Sequence, residues 1–119
     1  MNRVLLVEDE RITSLELGSF LEDEGFEVEA VHSGDGALGA IDRLPPRFLV
    51  TNLRLGPGPN GLDIARYARA LRPDIRIVFV SGGPACVSES GPGMESQFIA
   101  KPFRSEQVVD ALRRPLPVH

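Results

Sequence analysis

The chain has 119 residues, 42% of them hydrophobic and 25% charged, enough apolar material for one compact core and too much for a disordered or fibrous chain. Its net charge of −4 comes with basic residues scattered among acidic ones, so no basic stripe suited to nucleic-acid phosphates forms and direct nucleic-acid binding is not expected. A lone Cys86 excludes an internal disulfide, no run of about 18 apolar residues offers a membrane span, and no signal peptide precedes Val4, so a cytoplasmic, membrane-free protein is expected.

Val4–Val7 predicts the first strand. A helix N-capped by Asp9 or Glu10 should follow, burying Leu17, Phe20 and Leu21 until Gly25 stops it. Phe26–Val31 predicts the second strand. Ser33 then caps a helix that places Ala37, Ile41 and Leu44 on one face before Pro45 and Pro46 end it. Phe48–Leu53 predicts the third strand, and a third helix with Ile64, Ala68 and Leu71 on one face ends before Pro73. Ile75–Val80 predicts the fourth strand. Between Ser81 and Phe98 the helical pattern fails: Gly82, Gly83, Gly91, Pro92 and Gly93 leave at most about two turns, so the fourth helix is expected to be short, irregular or mobile. Phe98–Ala100 predicts the last strand. The final helix starts at Ser105, buries Val108, Val109 and Leu112, and ends on Arg113 and Arg114, cations that complement a helix C-terminus.

Strand alternating with helix five times predicts an α/β fold, (βα)5, with a doubly wound five-stranded parallel sheet. Such sheets bind ligands beyond the carboxyl ends of their strands, so the residues just after each strand are the candidates. These are Glu8 and Asp9 after the first, Asn52 at the end of the third, Ser81 after the fourth, and Lys101 and Pro102 after the fifth. Adjacent carboxylates make a hard oxygen site of the kind Mg2+ takes, and a hydroxyl and an ammonium opposite them would clamp a phosphoryl group. One further motif is a decoy. Gly56-Pro57-Gly58-Pro59-Asn60-Gly61 fits G-x-G-x-x-G, but Pro57 and Pro59 lack the N–H groups that cradle a pyrophosphate, and the loop follows the third strand instead of the first. It reads as a rigid turn.

Val7-Glu8-Asp9-Glu10, Val50-Thr51-Asn52-Leu53-Arg54-Leu55, Val80-Ser81-Gly82 and Ala100-Lys101-Pro102-Phe103 together resemble the signatures of bacterial response-regulator receiver domains, over nearly the whole chain. The resemblance implies a flavodoxin-like strand order 2-1-3-4-5 and one receiver domain over residues 1–119, with no output domain. It implies an acidic pocket of Glu8 and Asp9, with Asp9, the position of Asn52 and the Arg54 backbone carbonyl around Mg2+. Ser81 and Lys101 would hold phosphoryl oxygens, Phe98 would be the aromatic switch, and Pro102 would follow a cis peptide bond. By itself Phe98 reads more often as plain core, and the switch role rests on the resemblance alone.

The departure lies at Asn52, where the resemblance implies the nucleophilic aspartate. A carboxamide is neutral, its nitrogen lone pair is delocalised, and it forms no acyl phosphate. Two unit charges about 4 Å apart interact by roughly 4 kcal/mol at an effective dielectric of 20, so the missing charge should weaken Mg2+ binding. Asn52 is either a natural feature or an introduced substitution, and the retention of Glu8, Asp9, Ser81 and Lys101 favours an introduced or recently lost acceptor. The implied function is a phosphorelay receiver, not an enzyme, that docks a histidine kinase or histidine phosphotransfer protein as a monomer or weak dimer. Partners are expected on the first helix, because the Gly82–Gly93 stretch makes the usual contact face atypical. The alternatives are a phosphorylation-independent interaction module and a flavodoxin-fold cofactor binder.

Overall fold

The structure is a computed structural model that describes residues 2–81 and 96–114. The expected Gly82–Gly93 helix and Cys86 lie outside the described residues. The elements run β1 (Arg3–Val7), α1 (Arg11–Asp23), β2 (Glu27–Val31), α2 (Gly34–Arg43), β3 (Phe48–Asn52), α3 (Gly61–Leu71), β4 (Arg76–Ser81), β5 (Ser96–Ala100) and α4 (Ser105–Arg113). The strands form one parallel sheet in the order β2-β1-β3-β4-β5, the expected doubly wound topology.

Successive side chains on a strand point to opposite faces, and that period of two builds two cores. Val4 and Leu6 of β1, Val50 of β3 and Val78 and Val80 of β4 join Leu17 and Leu21 of α1 and Val108, Val109 and Leu112 of α4. Leu5 and Val7, Leu49, Ile77 and Phe79 join Ala37 and Ile41 of α2 and Ile64 and Ala68 of α3 on the other face. Each fully buried Leu, Ile or Phe side chain contributes about 1.5–3 kcal/mol, so the central strands anchor the fold from both sides.

Local chemistry sets the helix starts. Ser33 Oγ accepts the Gly36 N–H at 3.0 Å, as its predicted capping role requires. The turn that resembled a nucleotide loop ends in a capping box: Asn60 Oδ1 accepts the Asp63 N–H at 3.0 Å, and Asp63 accepts the Asn60 N–H at 3.1 Å. Three predicted core positions differ. Leu44 and Leu71 are 55% and 50% exposed, because each sits at the last position or C-cap of its helix, where the apolar face has run past the sheet. Phe20 is only partly buried at the edge of the first core. Among the described residues, no helix is long and apolar enough to cross a membrane.

Candidate functional site

The site follows from strand register. β1 and β3 pair as Leu6↔Val50 and Val7↔Thr51, so one step further Glu8 lies opposite Asn52. Glu8 shares strand parity with Val4 and Leu6, and Asn52 with Phe48 and Val50, which directs both side chains to the α1/α4 side of the sheet. β4 and β5 pair as Ser81↔Ala100, and the Lys101 N–H donates to the Ser81 carbonyl at 2.9 Å, bringing Lys101 to the same rim.

There the side chains meet. Asn52 Nδ2 donates to Glu8 Oε2 at 2.7 Å and to Asp9 Oδ1 at 3.0 Å. An amide facing two carboxylates must present its NH2 group, because the carbonyl end has nothing to donate. Glu8 is only 3% exposed, and a buried carboxylate needs partners. Among the described residues it has three: the Asn52 amide, the Glu10 backbone N–H at 3.0 Å and the Lys101 ammonium, whose Nζ stands 3.4 Å from Oε1. Asp9 is exposed at the mouth.

Ser81 is buried at the end of β4, and Arg54 is exposed in the loop after Asn52. The Lys101–Pro102 peptide bond is cis. Phe98 belongs to the opposite face: it stacks on its register partner Phe79 with ring centroids 5.1 Å apart and packs against the second core. It is thus half-buried core across the sheet from the Glu8–Asn52 pair.

Two residues of the site escape a reading by motif. Gly61 opens α3 so close to β3 that an added Cβ would lie 2.1 Å from the Asn52 carbonyl oxygen, and its N–H donates to the Leu53 carbonyl at 2.9 Å. The only sequence signal is a glycine directly ahead of a helix. His32, just past β2, places Nδ1 3.0 Å from the Glu8 carbonyl oxygen, and its sole signal is its place after a strand.

Beside this rim a groove of about 400 Å3 runs between α1 and the segment after β5. Thr13, Glu16 and Leu17 form one wall and Lys101, Pro102 and Phe103 the other. Ile12 and Leu15, neighbours on the outward side of α1, are 69% and 73% exposed.

The chain is similar to known proteins over nearly all of its length. The chain is 28% identical to the response regulator receiver protein CpdR of Brucella abortus, covering 98% of both chains. It is 32% identical to the photosynthetic apparatus regulatory protein RegA of Cereibacter sphaeroides, of which it spans 60%, and to the DNA-binding response regulator MtrA of Mycolicibacterium paratuberculosis, of which it spans 51%. A crystal structure of a response regulator receiver protein from Sinorhizobium medicae superposes with a TM-score of 0.84 at 36% identity, over 92% of this chain and 90% of that one. The response regulator receiver domain family model matches residues 4–113, and the chain belongs to that family of two-component signalling domains.

Proposed function

We propose that this receiver takes part in two-component signalling without accepting a phosphoryl group itself, performs no catalysis of its own, and acts by docking a histidine kinase or histidine phosphotransfer protein. One observation carries this reading: the side chain at the end of β3, where the family resemblance implies the acceptor, is an amide whose nitrogen points at Glu8 and Asp9. An aspartate there would attack phosphorus with a carboxylate oxygen, whereas Asn52 presents N–H donors and no nucleophile.

Mg2+ is held weakly in this reading. Asp9, with Glu8 and the Arg54 carbonyl, is the donor set of hard oxygens such an ion takes, and the ion would supply charge neutralisation there. Yet the Asn52 amide lies between the two carboxylates, Glu8 is engaged on both oxygens, and among the described residues no group of three or more His, Cys, Asp or Glu side chains is placed to hold a metal. The Asn52 amide would compete with a cation for the two carboxylates it bridges. Ser81, buried at the end of β4, and Lys101, whose ammonium faces Glu8, would be the groups that hold phosphoryl oxygens in this reading.

The docking surface is α1 with the neighbouring groove. Exposed Ile12 and Leu15 supply apolar contact, Glu10 and Glu16 give the groove an acidic wall, and the opening adjoins Lys101. This chemistry suits a helix of mixed apolar and basic character, as a histidine-bearing helical partner would present.

The reading is tested by incubating the protein and its Asn52→Asp variant with Mg2+ and a small-molecule phosphodonor, then comparing intact masses. We expect a phosphoryl adduct on the variant only. An adduct on the unaltered protein would place the acceptor elsewhere, and none on either would mean that the remaining site has lost phosphotransfer competence.

A further inference from the structure

We propose that Asn52 is the positioning residue of the docking groove: its amide bridges the two carboxylates of the rim, and through Glu8 it holds both groove walls in one arrangement that needs neither metal nor phosphoryl group. The importance of the groove rests on the docking reading above, but the coupling of Asn52 to the groove is a separate matter of geometry.

The two N–H bonds of the Asn52 amide are divided between Glu8 Oε2 at 2.7 Å and Asp9 Oδ1 at 3.0 Å. A bridging donor between two carboxylates neutralises part of their repulsion, which is what a bound cation does. The same Glu8 Oε2 accepts the backbone N–H of Glu10, the N-cap of α1 and part of the groove wall. Glu8 Oε1 faces the ammonium of Lys101, the first residue of the opposite wall. One buried carboxylate therefore ties together the end of β1, the start of α1, the end of β3 and the segment after β5, and Asn52 fixes where that carboxylate points.

An aspartate at position 52 presents no donor. It adds a third carboxylate beside Glu8, and only an added cation or proton restores the arrangement. With Asn52 the groove walls should be indifferent to Mg2+.

Backbone amide spectra of the isotope-labelled chain test this, read at Glu10, Thr13, Phe103 and Ser105 with and without millimolar Mg2+. In the unaltered protein we expect the Asn52 side-chain NH2 to exchange slowly with solvent and the four groove signals to stay in place when Mg2+ is added. In Asn52→Asp the same four signals should shift in metal-free buffer and return towards their original positions with Mg2+. In Asn52→Leu, which fills a similar volume without donors, they should shift and not return; Asn52→Ala serves the same purpose if the leucine variant does not fold. Unmoved groove signals in the folded Leu or Ala variant would overturn the proposal, as would an Mg2+ response of the unaltered protein as large as that of Asn52→Asp. Titration with a histidine phosphotransfer protein is a separate readout: its failure to perturb the groove signals rejects the docking reading, while the variant spectra still decide the role of Asn52.

Discussion

The tightest constraint on the site is a missing side chain. Gly61 opens α3 with its Cα against β3, and a methyl group there would meet the Asn52 carbonyl oxygen at 2.1 Å, a backbone atom that cannot rotate away. In an exposed helix Gly→Ala gains about 1 kcal/mol of helix propensity, but overpacking against backbone costs about 1–3 kcal/mol and should win here. Gly61→Ala is therefore expected to lower the urea midpoint and to move the Asn52 side-chain amide signals; a stabilised variant with unmoved signals would show that α3 yields without cost. This requirement was not legible in the sequence, because a close approach between β3 and α3 is a property of the packed molecule. Glu8, Asp9, Asn52, Ser81 and Lys101 were legible as candidates because each lies at or just after the carboxyl end of a predicted strand, and parallel strands bring those ends to one rim. What the sequence withheld was the direction of the Asn52 amide and the three-way engagement of Glu8, since hydrogen-bond partners depend on register.

At the scale of elements, the sheet edge is tied by charge. Glu29 on the edge strand β2 accepts from Arg3 of β1 at 2.7 Å and from Arg43 of α2 at 2.8 Å. The Arg3 hydrogen bond, and after it the Arg43 hydrogen bond, holds the Glu29 carboxyl below its ordinary value of 4.5. A carboxyl depressed in the folded state stabilises the fold above its unfolded value, and that contribution is lost as pH falls through the folded value. The pair is partly exposed, so the effect is modest and screened by salt. Glu29→Gln should lower the urea midpoint at neutral pH, and the gap to the unaltered protein should close on acidification below about 4.5, the ordinary value. A gap that stays constant with pH would mean that the ion pairs contribute nothing and only packing was lost. Among the described residues, element order and type were readable from hydrophobic period, whereas the ends were not. β5 begins at Ser96 instead of Phe98 because pairing to Ile77 of β4 extends it, and Leu44 and Leu71 leave the core because α2 and α3 end where the sheet does.

For the whole molecule, α1 turns the two most exposed large apolar side chains among the described residues outward. α1 buries Leu17 and Leu21 against the sheet yet presents Ile12 and Leu15 to solvent, next to the groove bounded by Lys101, Pro102 and Phe103. Neither exposed residue contributes much to the folded state, since surface substitutions away from special contacts usually change stability by less than about 0.5 kcal/mol. If they form the docking surface, their removal should act on binding alone. An Ile12→Ser, Leu15→Ser double variant is expected to keep its urea midpoint while losing at least tenfold in affinity for a histidine phosphotransfer partner, about 1.4 kcal/mol. Calorimetric titration beside urea unfolding separates the two quantities. Retained affinity in a stable variant would move the interface off α1, and equal losses of stability and affinity would mean that Ile12 and Leu15 support the fold instead of a partner. Because Asn52 removes the phosphoryl switch in the proposed reading, binding to the unaltered protein should also be the same with and without a phosphodonor, so the surface of α1 and the state of the rim can be tested independently.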